Sequence, residues 1–146
     1  MSAAPVSPNQ PLVVLWVGQM IGTLVIAAAV IAYVRYAGAP FKNVDPSWAE
    51  YALVGALVAI APAVLFLPDF KVRLDVDSER VKLSGGLVDL VVRRELQKSL
   101  AIGSALCELP QALGLVHLLL GGQTRWFVMA TLVTLALRAS YRPFPT

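Results

Sequence analysis

SLAIGSALCELPQALGLVHLLL, residues 99–120, is a run of twenty-two residues whose one acidic or basic side chain is Glu108, with His117 nearer its end. At about 1.5 Å per residue a helix of this length reaches about 33 Å, and the hydrocarbon core of a bilayer is about 30 Å thick. The stretch therefore predicts a membrane-crossing helix. A carboxylate at such depth costs roughly 2.5–3.5 kcal/mol on insertion scales. It is kept only where it faces other helices, binds something or relays something.

The rest of the chain agrees with that class. Of its 146 residues, 58% are hydrophobic and 14% charged, and the mean hydropathy is +0.71. A soluble domain runs at about 45–50% apolar and about 25% charged. Residues 12–34 and 51–68 are also free of charge. Residues 1–11 contain no Lys or Arg, and the apolar run behind them is longer than the core of a secretory signal, so residues 12–34 are expected to be a retained span.

Four spans are expected, at residues 12–34, 48–67, 99–120 and 126–141. The first closes at Arg35 with Tyr33 and Tyr36 at headgroup level. Gly38, Pro40 and Pro46 break the connection to the second, where Ser47 is the expected cap and Glu50 suits the positive end of the helix dipole. Pro62 predicts a kink and Pro68 a stop. Gly121-Gly122 separates the third span from the fourth. The fourth is short, about 24 Å, and is expected to cross with Arg138 snorkelling to the surface.

Residues 69–98 form the expected connector. Phe70, Val72, Leu74 and Val76 alternate with Lys71, Arg73, Asp75 and Asp77, and Val81 and Leu83 alternate with Arg80 and Lys82. This period of two predicts a small β-hairpin. Leu87, Leu90, Val91 and Arg94 then recur at helical spacing, predicting an amphipathic turn whose Arg93, Arg94 and Lys98 meet lipid headgroups. The fold class expected is thus an all-α, single-domain membrane protein: four transmembrane helices in a bundle, with a short cytoplasmic hairpin and amphipathic segment between the second and third.

Charge sets the expected orientation. Nine Lys and Arg fall on the side of the long connector and the C-terminus, against Arg35, Lys42 and Arg125 opposite. The positive-inside rule places both termini in the cytoplasm of a cell, expected to be the bacterial inner membrane. The net charge of +3 is what this topology requires, so nucleic acid is not an expected partner. The lone Cys107 cannot form an internal disulfide, and no Cys/His spacing suggests a metal.

Helix surfaces point to packing. Gly18 and Gly22 form a GxxxG pair, and Gly103 and Cys107 repeat small-residue spacing in the third span, so close approach of helices within the chain is expected at all four. Ser104 and Gln111 lie within 60° of Glu108 on a helix turning about 100° per residue. His117 falls on the far side. Glu108, Ser104 and Gln111 are therefore the candidate ion- or proton-binding group, and Pro110 leaves the Leu106 carbonyl without its helical donor.

Ser104-Ala105-Leu106-Cys107-Glu108 followed by Ala112-Leu113-Gly114-Leu115-Val116 resembles the carboxylate-bearing helix of rotary ATP synthase proteolipid (c) subunits. The resemblance spans residues 101–120. It implies a membrane-embedded carboxyl, Glu108, that takes up and releases a proton or sodium ion. This chain departs from that pattern in its two additional spans and in about thirty residues of connector, where those subunits have a short polar loop.

Two functions are expected from these residues. The first is a non-catalytic subunit or scaffold of a membrane assembly, in which Glu108 bonds to another helix. The second is a proton- or cation-translocating protein with Glu108 as the binding carboxylate. No second carboxylate, nucleophile–base pair or cofactor motif recommends an enzyme, and no small-molecule substrate is identifiable. The expected partners are the bilayer and other membrane subunits or a second copy.

Overall fold

The computed structural model describes residues 10–83 and 90–141. They form four helices: α1, Gln10–Ala37; α2, Pro46–Leu83; α3, Leu90–Leu119; and α4, Thr124–Ser140. Three contain stretches long and apolar enough to cross a membrane: Val13–Ala37, Pro46–Arg73 and Gln97–Leu119.

α1 ends where Gly38 adopts a φ of +79° and donates its N–H to Val34 O at 2.9 Å, the left-handed stop that glycine makes without steric cost. α2 opens on Pro46, whose missing N–H is no loss in a first turn. The cap is Asp45 rather than Ser47. Asp45 Oδ1 accepts the Ser47 N–H at 3.0 Å, and that bond holds the Asp45 carboxyl below the ordinary carboxylate range.

The expected β-hairpin is not formed. Residues 70–83 continue α2 as helix, through both Pro62 and Pro68. The period of two was a true feature of the residues but had no strand to pair with, and an isolated hairpin is marginal in water. Extending an existing helix gains a hydrogen bond per residue with no new nucleation. Lys71 Nζ and Asp75 Oδ1, 2.8 Å apart one turn on, add a small i,i+4 contribution. The Ser84-Gly85-Gly86 break and Leu87 lie outside the described residues. Leu90, Val91, Arg93 and Arg94 belong to the first turns of α3, where Arg94 and Lys98 are exposed.

The expected fourth span is also corrected. α4 has 17 residues, a rise of about 25 Å, and it is not among the helices long and apolar enough to cross. Its buried face carries Thr131, Thr134 and Arg138 beside Phe127 and Ala130. Such a face is made for other helices, not for lipid.

α3 is the centre of the packing, with α2 along one side and α4 returning antiparallel along another. The turn between α3 and α4 uses Gly121 at a φ of +91°. At one end, Ala63 and Leu67 of α2 meet Leu100 and Cys107 of α3 and Tyr141. At the other end, Ala27 of α1 meets Leu118 and Phe127. Gly103 and Gly114 set the α3–α4 distance: a Cβ on Gly103 would collide with the Tyr141 ring, and one on Gly114 would lie 2.7 Å from Ala130 Cβ. Tyr141 caps this end by donating its hydroxyl to Ser99 O at 2.7 Å.

α1 packs more lightly. No atom lies within 4 Å of a Cβ built on Gly18 or Gly22. The close approach expected of that pair is therefore not made within the described residues, whereas Gly103 and Cys107 are buried between helices.

Candidate functional site: a charged pair at mid-span

Glu108 is the middle residue of Gln97–Leu119, eleven residues from either end. Helical packing along α3 brings a second charge to it. Arg138, on the third-from-last residue of α4, is turned inward and only 2% exposed. Its Nη2 donates to Glu108 Oε1. Its Nη1 donates to Ser104 Oγ at 3.2 Å and to Gln19 Oε1 at 3.1 Å. The snorkelling expected of Arg138 does not occur. Side-chain acceptors on α1 and α3 hold the guanidinium, which costs less than taking it through hydrocarbon alone.

The cluster extends in both directions. Trp16 Nε1 donates to Arg138 O at 2.9 Å, which ties the start of α1 to the end of α4. One turn further along α3, Gln111 is buried, and its Nε2 donates to Thr23 O at 3.1 Å and Thr131 Oγ1 at 3.4 Å. Thr134 Oγ1 accepts the Gln111 N–H at 3.2 Å. Thus the polar residues expected near Glu108 have separate tasks. Ser104 shares Arg138 with Glu108, while Gln111 binds α1 and α4.

The pair is asymmetric. Arg138 is enclosed, but 56% of the Glu108 side chain is exposed, beside a groove of about 270 Å³ between α1 and α3 that Gln19, Gly22, Thr23 and Gln111 also line. Arg138 Nε has no hydrogen-bond partner, unlike every other buried side-chain nitrogen and oxygen among the described residues. Among those residues no three His, Cys, Asp or Glu converge as metal ligands.

Arg138 is the functional residue that the sequence reading missed. The signal was present. Glu108 lies thirteen residues before Gly121 and Arg138 sixteen after Gly122, the middle of the α3–α4 turn, so an antiparallel hairpin brings them to nearly one level. His117 occupies a separate place near the turn, where its ring contacts Ala49 O of α2 and the Gln123 N–H.

Fold and site together define the class: an all-helical membrane protein with a buried guanidinium paired to a half-exposed carboxylate at mid-span. The chain matches no protein family, curated protein or solved structure.

Proposed function

We propose that this is a small non-catalytic membrane subunit or scaffold, in which Arg138 pins three helices together at the middle of the membrane. The observation that supports it is the set of acceptors on one buried guanidinium: Glu108 and Ser104 of α3 and Gln19 of α1, with Arg138 itself on α4. A fixed cation bonded to Glu108 disfavours a second cation there, which argues against an ion-carrying carboxylate.

The same reading orients the chain. Tyr141 lies level with Ser99, and Trp16 level with Arg138, so residues 16 and 141 lie towards the same side as the connector between α2 and α3. With the excess of Lys and Arg on that side, it is cytoplasmic, in the cell (inner) membrane. Arg94 and Lys98, both exposed, then meet anionic headgroups. The lightly packed α1 is the surface offered to other membrane subunits.

One observation favours a second reading, a proton- or cation-handling protein: Glu108 is half-exposed beside a groove with Gln19, Thr23 and Gln111. Reconstitution into vesicles containing a pH-sensitive dye separates the two. The scaffold reading expects no proton flux from the wild type and loss of assembly in Glu108→Ala. Flux in the wild type that disappears in a normally folded Glu108→Gln would overturn it.

A further inference from the structure

We propose that His117 is a pH-sensitive clasp, which ties the α3–α4 turn to the first turns of α2 and releases the turn when its ring takes up a second proton.

Three observations carry this. His117 is buried, and its Nδ1 lies 2.6 Å from Ala49 O. A nitrogen that close to a carbonyl oxygen carries hydrogen and donates it. On the other side of the ring, the Gln123 N–H donates to Nε2 at 3.2 Å, which requires a bare lone pair on Nε2. The two contacts together define one state, the neutral imidazole with its hydrogen on Nδ1. In the imidazolium both nitrogens are donors. The Ala49 bond then survives, but Nε2–H faces the Gln123 N–H, donor against donor. Release falls on the turn alone.

The surroundings let this happen and confine it. Gly122 covers the ring, and a Cβ there would collide with it, so the turn is fitted to the imidazole. Gln123 is the residue just before the first turn of α4. A cavity of about 420 Å³ adjoins the ring, lined by Lys42, Ala49, Glu50, Gln123 and Trp126 among others. Its charged walls are Lys42 of the α1–α2 connection and Glu50 of α2, opposite in sign. The turn and α4 contribute Gly121, Gly122, Gln123 and Trp126, none of them ionisable. His117 lies nine residues from Glu108, about 13 Å along α3, and shares no hydrogen bond with the Arg138 cluster. The clasp sits at the end of α3 opposite the Lys- and Arg-rich connector.

The test is hydrogen exchange of the full chain in detergent micelles, followed in the peptide covering residues 117–125 and corrected for the intrinsic rate. Between about pH 7.5 and about pH 5, exchange should quicken at least about fivefold, the loss of roughly one hydrogen bond. In His117→Asn it should be fast at both pH values, and in Glu50→Gln the step should remain. Equal protection of the wild type at both pH values would overturn the clasp, as would a step that persists in His117→Asn or vanishes in Glu50→Gln. Should His117→Asn not fold, imidazole ¹⁵N shifts of the wild type decide: hydrogen on Nδ1 at neutral pH supports the proposal, and hydrogen on Nε2 sinks it.

Discussion

Arg138 and Glu108 carry unequal shares of the pair they form. Arg138 is only 2% exposed, so removing its carboxylate leaves a buried charge whose remaining contacts, Ser104 and Gln19, are neutral. Glu108 borders an open groove and is less stranded by the reverse change. Glu108→Ala should therefore lower stability by roughly 1–3 kcal/mol, read as a fall of several degrees in the melting temperature in detergent, while Glu108→Gln, which keeps an acceptor, falls by less. An equal loss in the two variants would mean that the charge, not the hydrogen bond, holds the site. Gly103→Ala is a second test at this scale. The new methyl meets the Tyr141 ring, and overpacking of this kind costs about 1–3 kcal/mol. A Tyr141→Ala partner change should recover part of the loss.

Among the elements, α2 differs most from expectation. Its residues 70–83 had a strand-like alternation and emerged as helix, because periodicity describes which face a side chain occupies and says nothing about the availability of a partner strand. Site-directed nitroxide scanning over residues 69–80 should give accessibility with the helical period of about 3.6, and a period of two would restore the hairpin. α4 differs for another reason. Hydropathy rated Trp126–Tyr141 as a short span with one awkward arginine. The structure makes it the covering half of an α3–α4 hairpin, with that arginine as its principal contact. Its threonines were the overlooked clue, since Thr131 and Thr134 lie on the same face as Arg138 and all three are buried.

For the whole molecule, the Arg138 cluster gives a prediction about coupling between helices. Exchanging the charges, Glu108→Arg with Arg138→Glu, should recover part of the stability that either single change removes, since the two residues are in contact and their effects are not additive. Full additivity would show that the pair is not a unit. Topology is testable in the same preparation. In a Cys107→Ser background, cysteines placed at Asp69 and Gln123 should be labelled by a membrane-impermeant maleimide from opposite faces of a sealed vesicle, and one at Tyr141 from the same face as Asp69. Labelling of Tyr141→Cys from the Gln123 face would move the C-terminus across.

Composition and run length alone determined the class of this protein, because burying a backbone in hydrocarbon demands long uncharged helices and leaves little else to write. They also singled out Glu108, since an acid in such a run is costly wherever the helix goes. What Glu108 faces was decided only by tertiary structure. The turn at Gly121-Gly122 folds α4 back until Tyr141 reaches the level of Ser99, and Trp16 and Gln19 bring α1 to Arg138. Pairing a carboxylate with a guanidinium thirty residues away depends on which helix faces meet. Periodicity along one helix cannot state that, because the free energy of a buried charge is set by its neighbours in space.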